Sequence, residues 1–198
     1  MRALWLFCFF LAANLRAADP AEYCPVREGT EWIMDAKVTM PDGRVINTTA
    51  HRTIGAREER NGKTYYRMRK WMDDVPEVRP LESLERLDST GLFSLDLRNP
   101  EAKEALTMAL PFAVGSKWTW ETGKAPITLE VVGLEDLTIN GTTYKNCYHI
   151  KATTKDGSYA EDLWRAPGIG SIKSDIVLSA GTKISVSLRE FKPGKAGP

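Results

Sequence analysis

Residues Pro25–Trp32 read PVREGTEW and residues Pro111–Trp118 read PFAVGSKW, so the pattern Pro-x-x-x-Gly-x-x-Trp occurs twice, 86 residues apart. Two further blocks follow in the same order. NGKTY at Asn61–Tyr65 is matched by NGTTY at Asn140–Tyr144, 79 residues on, and GLFSL at Gly91–Leu95 is echoed by GIGSI at Gly168–Ile172, 77 residues on. Three matched blocks at similar offsets point to two half-domains, about 23–97 and 111–191. A period near 80 is too long for a solenoid array, so the halves are expected to build one sheet together.

The matched residues have structural uses. A glycine ahead of a tryptophan strand frees the backbone where the chain joins the sheet. Asn-Gly between alternating runs is the strongest short hairpin signal, because both turn residues must accept positive φ. Working outward, Trp32, Met34, Ala36, Val38 and Met40 alternate with Ile33, Asp35, Lys37 and Thr39, a period-2 pattern with one buried face. Pro41-Asp42-Gly43 turns that strand back into 44–56. Further strands are expected at 63–72, 82–88, 92–97, 114–122, 126–138, 142–154, 158–165, 169–178 and 182–191, separated by Gly-containing turns. One segment reads differently. Asn99 suits an N-cap and Pro100 a first helical position, and Ala102, Ala105, Leu106, Ala109 and Leu110 recur at helical spacing until Pro111. The expected fold is therefore mainly β: one curved antiparallel sheet or half-barrel of about eleven strands, with a short helix at 98–110 between the repeats.

The chain has 198 residues, 42% hydrophobic and 27% charged, and its 27 Lys+Arg nearly balance 26 Asp+Glu. Such a composition excludes a disordered, collagen-like or polytopic membrane chain, and the formal charge of +1 gives no field for nucleic acid. Arg2, the apolar run ALWLFCFFLAA at Ala3–Ala13, and Ala17-Ala18 read as a secretory signal peptide over 1–18. The run is shorter than the ~20 residues a bilayer span needs, so one exported β domain is expected at 19–192, with no transmembrane segment in the mature chain and a disordered tail at 193–198. Periplasmic or extracellular placement permits a disulfide between Cys24 and Cys147. Two buried free thiols are the alternative.

The Gly-x-x-Trp openings, the Asn-Gly hairpins, YKNCYHI at Tyr144–Ile150 and LWRAPGIG at Leu163–Gly170 together resemble a large group of bacterial secreted proteins and lipoproteins of uncharacterised function. That resemblance implies a secreted β domain and carries no catalytic residues. The strand count and meander are also similar in architecture to the half-barrels of periplasmic lipoprotein carriers, whose concave face holds acyl chains. This second likeness implies a lipid or other apolar small molecule as ligand.

No nucleophile elbow, P-loop, Rossmann glycine pattern or His-Glu-x-x-His motif is present. Two cysteines and two histidines are too scattered to hold a metal, and no cofactor is expected. A Cys147–His149 dyad is weaker than a packed cysteine beside a solvated histidine. Glu161 and Asp162 point to opposite faces of one strand. Arg67, Arg69 and Lys70 around Met68 and Trp71 read as a salt-bridged sheet surface. Trp118 and Trp120 share one strand face and, with Trp71, are the candidate ligand-binding residues, packing in the core being the alternative. The sequence thus favours a non-enzymatic binding or carrier module. A packed interaction domain, with an envelope protein as partner and no small ligand, is the other reading.

Overall fold

The computed structural model describes residues 20–75, 78–99, 101–111, 113–121 and 125–195. The signal segment expected at 1–18 and residues 196–198 lie outside them. A single helical turn, α1 (Pro20–Tyr23), leads into twelve strands: β1 (Glu31–Thr39), β2 (Val45–Arg60), β3 (Lys63–Met72), β4 (Leu81–Asp88), β5 (Gly91–Asp96), β6 (Ala105–Ala109), β7 (Lys117–Trp120), β8 (Ile127–Ile139), β9 (Thr142–Thr154), β10 (Tyr159–Ala166), β11 (Gly170–Leu178) and β12 (Lys183–Lys192). They form one antiparallel sheet in the order β6-β5-β4-β3-β2-β1-β12-β11-β10-β9-β8-β7. Strands β1–β6 make one meander and β7–β12 another, with the β1–β12 ladder joining them. The Gly-x-x-Trp blocks lead into β1 and β7, and the Asn-Gly pairs turn β2 into β3 and β8 into β9. Asn61 and Asn140 sit at φ 52° and 49°, the left-handed conformation that the hairpin reading requires.

The sheet is a nearly closed barrel rather than a half-barrel, and it has twelve strands rather than eleven. Its seam lies between the edge strands β6 and β7, where the Trp118 indole N–H donates to the Thr107 carbonyl at 3.1 Å. The extra strand is the segment expected to be a helix. Asn99 starts only a turn, accepting the Glu101 amide at 3.0 Å, and residues 105–109 then pair with β5. A three-alanine helical face offers little apolar area, whereas the extended alternative adds a ladder and buries Met108. Gly91 makes the pairing possible, because a Cβ there would overlap Leu106 and the Met108 carbonyl.

Alternation assigns the faces. Trp32, Met34, Ala36 and Val38 of β1 point into the barrel, as do Ile54 and Met68 of β2 and β3, Val131 and Ile150 of β8 and β9, and Ile172 and Leu188 of β11 and β12. The N-terminal segment closes one end. Tyr23 and Cys24 are buried against Leu92, Met108, Trp118, Ile127 and Tyr148, with the Tyr23 and Tyr148 rings 4.9 Å apart. At the same end the chain past β12 makes backbone contacts through Lys195. The Gly194 amide donates to Thr30 Oγ1 at 3.2 Å, and the Lys195 amide donates to the Glu28 carbonyl at 2.9 Å. A Cβ at Gly194 would stand 2.5 Å from Thr30 Oγ1.

Cys24 and Cys147 are both free and buried, as in the second of the two readings for this pair. Cys24 faces Met108 Sδ at 3.7 Å inside the barrel, while the Cys147 thiol donates to the Tyr144 carbonyl at 3.4 Å in a separate apolar cluster with Ile139 and Trp32. Burial pushes both thiols up from the ordinary thiol range.

Candidate functional site

The open end of the barrel leads to a cavity of about 300 Å³ between β4, β3, β2, β1, β12, β11 and β10, rimmed by Val78 and Arg79 of the β3–β4 connection. That volume equals about ten water molecules at ~30 Å³ each and sits at the lower end of small-molecule sites, ~300–1,000 Å³. Met34, Ala50, Met72, Leu81, Leu163, Ile176, Ile184 and Val186 make its walls apolar. These are the inward positions of seven strands, so the same period-2 pattern that builds the barrel also lines the space.

The depth of the barrel is charged. Arg52 Nη2 donates to Glu85 Oε2 at 2.8 Å, both residues being buried, and the guanidinium lies 4.6 Å from the Trp32 ring centroid. Arg165 binds the Tyr23 carbonyl through Nε and Nη2 at 2.8 and 2.6 Å, fastening the N-terminal plug. Burial lowers the Arg165 pKa, and Cys24 and Glu85 partly offset the effect. Glu161 accepts from Ser174 Oγ at 2.5 Å and from the Tyr159 hydroxyl. Burial first, and the Glu161 charge second, push the Tyr159 phenol far above its ordinary value, so it acts as a donor.

Lys70 lines the cavity beside these groups. Its side chain is exposed to the solvent of this open space. Loss of bulk hydration and the neighbouring Arg52 charge lower its pKa to about 8, against opposing pulls from Glu85 and Glu161. Among the described residues no side chain forms a hydrogen bond or ion pair with its ammonium.

The structure separates the candidate tryptophans. Trp71 borders the cavity, its ring stacked on His51 with centroids 4.7 Å apart. Trp118 and Trp120 belong instead to the packed cluster around Ile127, Leu129 and Ile150, away from the cavity lining. The cavity residues missed from sequence are Arg52, Lys70 and Glu161, with Glu85 behind them as the partner of Arg52. The available signal was parity: Arg52 is in phase with Ala50 and Ile54, and Lys70 with Met68 and Met72, all apolar. Arg67 and Arg69 do lie on the salt-bridged surface, reaching Glu58 at 3.0 Å and Glu82 at 3.7 Å respectively.

Both histidines occupy the outer face. His51 Nε2 lies 2.9 Å from Asp73 Oδ2, and His149 Nε2 lies 2.6 Å from Asp162 Oδ1 while its ring stacks on Trp164 at 4.4 Å. His149 thus engages a carboxylate, and the Cys147 thiol turns to a backbone carbonyl. Glu161 and Asp162 face opposite sides, as alternation requires. Among the described residues no group of three His, Cys, Asp or Glu side chains is placed to hold a metal ion.

No protein-family model matches the chain, and no curated protein matches it in sequence. Solved structures are similar to it. A Bacteroides fragilis protein of YmcC-like fold, inferred to be exported, is 14% identical over 86% of this chain and 99% of its own, with a TM-score of 0.50. A Parabacteroides distasonis protein inferred to be a lipoprotein is 12% identical, covering 88% and 100% of the two chains at a TM-score of 0.44. A LolA-superfamily protein from Nitrosomonas europaea is 10% identical, covering 90% and 91% at a TM-score of 0.30. The first likeness shows a shared fold. The other two are too loose to carry an argument.

Proposed function

We propose that this chain is an exported, non-enzymatic binding or carrier module that takes one apolar-tailed small molecule into the barrel. The cavity of about 300 Å³, walled by eight apolar side chains from seven strands, is the observation that carries this reading. Filling it with an alkyl chain removes apolar surface on both partners from water, at about 25 cal/mol per Å². Export rests on the signal-like segment 1–18 and agrees with the exported assignment of the Bacteroides protein that shares the fold. A binder fits the polar groups better than a catalyst does. Each imidazole is spent on an outer-face carboxylate and a tryptophan ring, and each oxygen of Glu161 already accepts from a hydroxyl.

The test is to fill the space. Ala50→Leu and Val186→Phe place added atoms where the tail would lie. Titration with the apolar dye N-phenyl-1-naphthylamine is expected to give saturable fluorescence enhancement with the unsubstituted chain and at least a tenfold weaker response with either variant. Equal uptake by all three proteins would remove the cavity from the account.

A further inference from the structure

The walls and the floor of the cavity differ in kind. A site for a purely apolar molecule gains nothing from an ammonium group in its lining, since desolvating an unpaired charge is costly. Yet Lys70 lines this space without an ion-pair partner among the described residues, while each neighbouring ion is already engaged. Arg52 is paired with Glu85, Arg165 is committed to the plug, and Glu161 is held by Tyr159 and Ser174. Lys173, also in the lining, pairs with Asp175 at 3.0 Å, so apart from Arg79 at the rim Lys70 is the lining cation left without a carboxylate among the described residues. Lys70 is exposed to the solvent of this open space, so its charge is free to attract an anion, with partial screening by water.

We infer that the ligand is a single-chain amphiphile with an anionic oxygen head, carboxylate or phosphate, which pairs with Lys70 while its alkyl tail lies along Met34, Met72, Ile176, Ile184 and Val186. This inference rests on the binding reading above and narrows its ligand class. The head enters first and the tail extends towards Val78 and Arg79 at the rim. The lowered Lys70 pKa agrees with a site built to be neutralised by a ligand, because a bound anion stabilises the charged form that loss of bulk hydration disfavours.

The experiment compares heads on one tail. Octanoate, octyl phosphate, 1-octanol and octylammonium are titrated into the full chain by calorimetry at pH 7. The anionic pair is expected to bind at least tenfold tighter than octanol, with octylammonium weakest, and the stronger of the two anions identifies the head. Lys70→Met is expected to reduce that preference to below twofold while octanol binding holds or improves. Arg67→Ala, on the outer salt-bridged surface, is expected to leave it intact. For octanoate, the advantage over octanol falls as pH rises from 7 to 10, since Lys70 loses its proton and Arg52 and Arg165 remain charged opposite Glu85 and Glu161. Equal binding of octanol and the anions, or a preference abolished by Arg79→Ala and not by Lys70→Met, overturns the inference and leaves the binding reading standing. Failure of all four compounds to bind overturns both.

Discussion

Glu85→Leu is the perturbation that most directly probes how the barrel tolerates charge in its interior. Glu85 and Arg52 are 4% and 8% exposed and 2.8 Å apart. For charge centres ~4 Å apart at an effective dielectric of ~20, the attraction is about 4 kcal/mol, and breaking a buried pair by removing one partner costs ~3–5 kcal/mol. Arg52 Nε already lacks a hydrogen-bond partner, so the stranded guanidinium would keep little beyond its place over the Trp32 ring. Glu85→Leu is therefore expected to lose about 4 kcal/mol. Arg52→Met is expected to lose less, because Lys70 lies near enough to feel the orphaned Glu85. The double variant removes both ions and should be no less stable than Arg52→Met, giving a coupling energy of about 4 kcal/mol or more. Urea unfolding of the four proteins reads this out as shifts in midpoint at constant m, where ~4 kcal/mol is about 1–4 M. Additive losses in the double variant would refute a coupled pair.

Three further outcomes follow from the same geometry. Lys70 has a pKa of about 8 in the folded chain against an ordinary 10.5, so the unfolded chain holds more protons between these values and stability rises with pH across that window. Lys70→Met should add about 1 kcal/mol at pH 7, allowing for screening by cavity water, a gain that shrinks to nothing near pH 10.5; a pH-independent effect in parallel melts would contradict it. Trp118→Phe removes the indole bond to Thr107 and should cost about 1–2 kcal/mol while speeding hydrogen exchange in β6 and β7 ahead of β1 and β12; unchanged exchange at the seam would show that the bond does not hold it. Alkylation without reductant should label neither Cys24 nor Cys147 in the native chain and both after denaturation, read by peptide mapping, whereas protection that needs reductant to lift would indicate a disulfide.

Much of the architecture was legible because the signals were local. Alternation in β1, the Asn-Gly turns and the glycines between strands depend on neighbours in the chain, and the structure places strands close to the expected ranges. Closure of the barrel was not legible. It depends on the β1–β12 ladder, for instance Met34 opposite Leu188, which no local pattern encodes. The strand at Ala105–Ala109 was misread because its alanines also fit a helix, and the deciding partner, Gly91 on β5, lies outside any window of helical periodicity. The candidate site was the least legible part. Tryptophan size drew attention to Trp118 and Trp120, which fill the core, whereas the cavity is marked by charges in apolar phase, Arg52 and Lys70. Arg67, Arg69 and Lys70 form one basic cluster in sequence, and only the strand's alternation sends Lys70 inward and the arginines out.

The central claim is that the barrel carries a small molecule in the cavity beside Lys70. Native mass spectrometry of the full chain purified from an exporting host, before and after organic extraction, tests it most directly. The account predicts a discrete added mass, removed by extraction and identified as a single-chain acid or phosphate, and absent from Val186→Phe protein prepared alongside. A bare protein mass under conditions that preserve weak complexes, together with no uptake of octanoate at pH 7, would contradict it.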